Sequence, residues 1–221
     1  MNSARRPGSA LAAGALLGLL AGAAEAANLL INATDRDGKP LAEAVIYVRV
    51  PGAKTTPPAQ PVEMAQEDLL FNPYVLPVVT GTFVVFPNKD KLPHHLKSFS
   101  TVYDFEFPVY DPGKTTMPLL FDKPGTVILY CYFHSWMKSH IIAVDTPYFA
   151  KTDAKGAAQI NDLPPGTFEV RAWHPDLRGE HLKGSAVSGA APVANLAFKF
   201  DLIPRPLSKP VPASAQAPAK K

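Results

Sequence analysis

The chain has 221 residues, with 22 Lys+Arg against 19 Asp+Glu, one cysteine and 24 prolines. A formal charge of +3 is too small to mark a nucleic-acid binder. A single thiol excludes a disulfide framework, a four-cysteine zinc site and any cluster that needs several thiolates.

The first element is a targeting signal. Arg5 and Arg6 form a positive n-region, Ala10 to Ala24 are apolar apart from glycines, and Ala24-Glu25-Ala26 is a small-x-small cleavage site. The apolar run is too short to span a bilayer. Residues 1–26 therefore read as a signal peptide, and the mature protein as exported to the periplasm with no membrane span. Next come Leu29-Leu30-Ile31, the turn cluster Asp35-Arg36-Asp37-Gly38, and a β-branched run from Ala44 to Val50. A proline-containing connector follows over 53–61, and Val62 to Leu70 is the one stretch suited to a helical turn. Further predicted strands are Val75 to Val79, Thr82 to Phe86, Leu96 to Val102, Thr126 to Tyr132, Ile141 to Val144, Phe168 to Trp173 and Leu196 to Leu202. The segment from Pro204 holds five prolines in 18 residues and reads as a disordered tail. No sustained helical period appears, so the predicted fold is an all-β sandwich.

The chemistry concentrates in Cys131-Tyr-Phe-His134-Ser-Trp-Met137, directly after the apolar strand Val127 to Tyr130. A loop leaving a strand can gather a thiolate, an imidazole and a thioether around one point. Soft sulfur with imidazole suits copper, and a trigonal set needs one more histidine. Pro93-His94-His95 offers it upstream. Phe99 lies four residues after His95, which puts the two on one strand face and speaks for His95. The spacing from Phe86 to His94 speaks for His94, which is the favoured reading, with His95 kept as the alternative.

Residues 61–145 resemble a cupredoxin, the blue-copper domain, and most of all the amicyanin, plastocyanin and pseudoazurin group. Gly125-Thr126-x4-Cys131-x2-His134-x2-Met137 matches the amicyanin pattern, and Asn88-x4-Pro93-His94 resembles the segment around the first histidine ligand. The wider pattern is similar to periplasmic proteins labelled methylamine utilisation proteins. The resemblance implies a Greek-key β-sandwich and one type 1 copper. His94, Cys131 and His134 would form the trigonal plane, with Met137 the weak axial ligand. His95 stands where the family has an Asn that ties the two ligand loops, so it replaces that tie or is itself the ligand. Two flanking stretches, Asp35-x2-Gly38 with Ala44 to Val50 and Thr152-Asp153-x2-Gly156 with Leu163-Pro-Pro-Gly166, resemble a transthyretin-like, carboxypeptidase-regulatory-type sandwich. On this reading residues 27–60 and 146–203 form a discontinuous second module into which 61–145 is inserted.

The implied function is periplasmic one-electron transfer with a redox protein partner such as a dehydrogenase or c-type cytochrome. The alternatives are Cu(I) trafficking or storage, and a metal-free interaction module. An enzyme is not expected: the His-x-His pairs of an oxygen-reducing copper centre are absent, and for a conceivable Cys131–His134 nucleophile pair the sequence names no orienting residue or oxyanion donor. Phe133 and Trp136 are candidates for a docking rim, Trp136 equally for packing beneath the loop. His140 is assigned a structural or exposed place, His174 and His181 the surface, and Asp104 and Glu106 a strand face.

Overall fold

The computed structural model describes residues 26–189 and 193–203. Apart from Ala26, the signal-peptide stretch lies outside the described residues, as does the tail from 204. Among the described residues every regular element is a strand, and no helix is long and apolar enough to cross a membrane. In chain order the strands are β1 (Ala27–Asp35), β2 (Val45–Arg49), β3 (Val62–Glu63), β4 (Ala65–Glu67), β5 (Leu70–Asn72), β6 (Val75–Val79), β7 (Thr82–Val85), β8 (His94–Ser100) and β9 (Tyr103–Tyr110). They continue as β10 (Leu119–Phe121), β11 (Gly125–Tyr130), β12 (Lys138–Val144), β13 (Phe149–Lys151), β14 (Ala157–Leu163), β15 (Gly166–Trp173), β16 (Leu182–Ser188) and β17 (Val193–Phe200).

Among the described residues, the strands from β3 to β12 pair only with one another. A five-stranded sheet in the order β6-β12-β11-β8-β9 and a three-stranded sheet β10-β7-β3 share a core of Met64, Val84, Phe86, Leu96, Phe121, Leu129, Met137 and Ile141. The flanking segments form a sheet β14-β1-β17 and a sheet β13-β2-β15-β16 around Leu29, Ile46, Val48, Ile160, Val170 and Phe200.

The two sets of sheets meet back to back. Ile141 and Ala143 of β12 point into the inner core, whereas Ile142 and Val144 pack with Val75 against Val45, Tyr47 and Trp173 of the outer sheets. Period-two alternation explains this division. It also explains why Ile141 to Val144 reads as an unbroken apolar run: both faces of the strand are covered.

Two outer turns have the same construction. Asp35 accepts the N–H groups of Asp37 and Lys39, and Asp153 those of Lys155 and Ala157, each through Oδ1. Gly38 (φ 84°) and Gly156 (φ 72°) donate back to the carbonyls of Asp35 and Asp153. This is the Asx turn closed by a left-handed glycine that Asp-x-x-Gly specifies.

The stretch Val62 to Leu70 is not helical. It runs as β3, then β4, then a two-residue turn into β5. Asp68 (φ 55°) and Leu69 (φ 57°) both take left-handed conformations, the requirement of a tight hairpin turn. Leucine pays conformational strain there. Its backbone is held on both sides: Leu69 N–H donates to Asp90 Oδ2 at 3.1 Å, and Leu69 C=O accepts the Trp136 indole N–H at 3.1 Å.

Candidate metal centre

Strand β8 begins two residues earlier than Leu96, so His94 and His95 both lie within it. Alternation then separates them. His94, Leu96 and Ser98 point inward and are fully buried, while Lys97 and Phe99 lie on the other face with His95. Opposite this start β9 carries an irregularity, since His94 pairs with Tyr110 but Leu96 with Phe107. The outward face does hold His95 and Phe99 together, as the four-residue spacing suggested. That face lies away from the cysteine sulfur.

Cys131 leaves the end of β11 and Met137 immediately precedes β12, so the loop hangs between neighbouring antiparallel strands. The loop closes on itself through Met137 N–H to His134 C=O at 2.8 Å and Cys131 N–H to Met137 C=O at 3.2 Å. The Cys131 sulfur lies 3.6 Å from His94 Nδ1 and 3.6 Å from His134 Nδ1. The three donor atoms all lie within 4.8 Å of one another, and all three residues are buried. Sides of 3.6 Å suit a first-row metal ion held by bonds of about 2.0–2.3 Å. One soft thiolate with two imidazoles is a donor set that favours copper or zinc over magnesium or calcium. Met137 is 1% exposed and belongs to the inner core beside Cys131.

The electrostatics suit a thiolate. Burial pushes the Cys131 thiol up, but the His94 ring and the backbone N–H groups of His95 and Phe133 outweigh it, leaving the thiol below its ordinary range. Burial likewise presses His94 down, and the Cys131 sulfur and the Asp90 carboxylate pull it back above the ordinary value. His134 is held low by burial and by the neighbouring His94.

Support around His94 comes from Asn88 of the quoted motif and from Asp90, Gln66 and Tyr110, which the sequence reading passed over. His94 Nε2 lies 2.7 Å from Asp90 Oδ2. Asp90 N–H donates to Asn88 Oδ1, and Asn88 Nδ2 donates to the carbonyls of Leu92 and Tyr110. Gln66, fully buried, accepts the Tyr110 hydroxyl and donates to the His95 carbonyl at 3.2 Å. The available signal was a carboxylate four residues before the histidine in a tight Asn-Lys-Asp turn.

His95 makes no hydrogen bond to the cysteine loop through its ring. Its Nε2 lies 2.8 Å from Glu106 Oε1, and its ring meets that of Tyr132 edge-on at 4.7 Å between centroids. Asp104 and Glu106 lie on β9, where Asp104 pairs with Lys97 at 2.8 Å. Trp136 packs beneath the loop against the inner core, whereas Phe133 is exposed beside His134. His140 is buried between Tyr74 and Trp173. The surface assignment of His174 is corrected, whereas His181 is only partly buried. His174 is buried against Phe200 and accepts the Asp176 N–H, and His181 shares a 2.8 Å hydrogen bond with the Tyr47 hydroxyl. The polar partner of His174 lets its ring leave water.

No protein-family model matches the chain, and no curated protein matches it in sequence. Solved structures do resemble it. A purple cupredoxin from Nitrosopumilus maritimus is 21% identical, with a TM-score of 0.35, over 38% of this chain and 99% of its own. A copper-containing nitrite reductase from Thermus scotoductus SA-01 is 26% identical, with a TM-score of 0.37, over 51% of this chain and 28% of its own. A Cu(I) form of an amicyanin variant is 16% identical, with a TM-score of 0.36, over 45% of this chain and 98% of its own. The fold is all-β, and the structures it is similar to are cupredoxins and a copper protein. One of these is an enzyme by name, so the expectation that this chain is no enzyme is corrected and withdrawn.

Proposed function

We propose that this chain is an exported type 1 copper protein that carries single electrons between redox partners in the periplasm. The observation that carries this reading is the Cys131 sulfur set 3.6 Å from both His94 Nδ1 and His134 Nδ1 in a buried pocket. His94, Cys131 and His134 would hold the ion, with the Met137 thioether as a weak further donor. Copper bound there supplies one-electron redox chemistry.

The chain's own residues supply the rest. Two strands and a self-bonded loop hold the donors rigidly, which keeps rearrangement between oxidation states small. The inner core keeps water from one side of the site. The exposed Phe133 ring, beside His134, supplies apolar surface for a partner such as a dehydrogenase or c-type cytochrome. Residues 1–26 would direct export. Residues 61–145 would be the metal-carrying domain, inserted in a transthyretin-like sandwich of 27–60 and 146–203.

The test is a visible and electron paramagnetic resonance spectrum of the purified protein with one equivalent of Cu(II). An intense thiolate-to-copper band with narrow copper hyperfine splitting supports the reading. An ordinary, colourless Cu(II) spectrum sinks it and moves the weight to Cu(I) trafficking.

A further inference from the structure

We propose that Asp90 is a positioning residue that sets the oxidation-state preference of the metal centre through His94; this deepens the copper reading and rests on it. The Asp90 side chain is only 12% exposed, and its Oδ2 lies 2.7 Å from His94 Nε2. A carboxylate oxygen accepts, so Nε2 carries the hydrogen. That leaves Nδ1 bare, aimed at the space it shares with the Cys131 sulfur. One imidazole tautomer is thereby selected before any ion arrives.

The carboxylate cannot readily swing away. Leu69 N–H donates to the same Oδ2, and Asp90's own N–H is tied to Asn88 Oδ1 at 3.0 Å. Leu69 is in turn fixed by its strained turn conformation and by the Trp136 indole from the ligand loop. One backbone residue thus connects the support of the first histidine to the loop that carries Cys131, His134 and Met137.

The consequence is electrostatic. A fixed negative charge hydrogen-bonded to a ligand raises that ligand's basicity and stabilises the more highly charged oxidation state. The chain offers an internal comparison. Glu106 makes a 2.8 Å contact of the same kind with His95, but that carboxyl side chain is 52% exposed and its histidine faces away from the sulfur. Of these two contacts, the Asp90 one is both sheltered from water and in line with a donor atom. Asp90 therefore favours Cu(II) over Cu(I).

Two measurements test this. In the metal-free wild-type protein, nitrogen-detected NMR of the histidine rings should show His94 as the Nε2–H tautomer; an Nδ1–H tautomer overturns the proposal without any variant having to fold. Chelator competition with Cu(II) and with Cu(I) should then be run on wild type and Asp90→Asn. The Cu(II)-to-Cu(I) affinity ratio should fall at least tenfold in the variant, a positive shift of about 59 mV for a one-electron couple. An unchanged ratio, or equal losses in both states as a merely structural role would give, overturns it. A wild-type Cu(II) spectrum with no thiolate band would sink the blue-copper reading, yet the tautomer and the affinity ratio would still judge Asp90.

Discussion

His95 and Tyr132 meet edge-on at 4.7 Å between ring centroids on the outer face of the five-stranded sheet, while their chain neighbours His94 and Cys131 meet at 3.6 Å inside it. Adjacent residues of β8 and of the ligand loop thus form two parallel contacts, one beside the exposed Tyr132 ring and one fully buried. The difference gives the first prediction. His94→Ala, like Cys131→Ser, should abolish the thiolate-to-copper band, and His95→Ala should retain it. Titration with Cu(II) followed in the visible range decides between the two histidines; a colourless His95→Ala protein beside a blue His94→Ala protein would reverse the assignment.

Met137 is both a core residue and a candidate ligand, and the two roles separate by substitution. Met137→Ala should destabilise the metal-free protein by about 2–5 kcal/mol, since it empties a closed site. Met137→Leu conserves volume and should cost less than about 1.5 kcal/mol. Urea unfolding of the metal-free proteins reads these costs. If Met137 is also the axial donor, the leucine variant should change the copper spectrum despite its near-normal stability.

The paired Asx turns predict unequal tolerance. A Cβ on Gly156 would lie 2.2 Å from the Ala33 carbonyl oxygen, whereas one on Gly38 would meet nothing within 4 Å. Gly156→Ala should cost about 2–4 kcal/mol, because backbone must move as well as φ being strained. Gly38→Ala should cost about 1 kcal/mol for the left-handed φ alone. Thermal unfolding of the two variants under one condition provides the comparison.

Stability should also carry an acid-side dependence through His181. Burial, then the neighbouring Arg171, holds its folded value below the ordinary 6.5. The unfolded chain therefore binds the proton more readily as pH falls past that ordinary value. The contribution is fully present above it and is lost as pH drops toward the folded value. His181→Gln should flatten the stability change between about pH 7.5 and 5.5. Equal slopes in urea unfolding series of the two proteins would remove His181 as the source.

Much of this was legible because the relevant signals are local. Cys131, His134 and Met137 lie within seven residues, and Val75 to Val79 is the strand the sequence marks. The Asp-x-x-Gly turns declare themselves through the special conformations they require. The strands β14 and β16 were not marked, since Ala157–Leu163 and Leu182–Ser188 are rich in small and polar residues. Pairing with β1 and β15 makes them strands, and pairing is a long-range property. The choice between His94 and His95 turned on where β8 begins, a boundary that propensity places poorly. The contact of Asp90 with His94 spans only four residues, but the Leu69 N–H that also holds its carboxylate comes from the β4–β5 turn, 21 residues away, which local pattern does not show.

The back-and-forth path of the chain also fixes an order of events during synthesis. Among the described residues, the strand partners of β1 are β14 and β17, and those of β2 are β13 and β15. Everything from β3 to β12 emerges before any of those four, with all of its own pairing partners already made. The sheets around the cysteine can close while the opening strands still wait, exposed, for the far end of the chain. Until β13 to β17 have emerged, Leu29, Ile31 and Ile46 lack the neighbours that bury them in the fold.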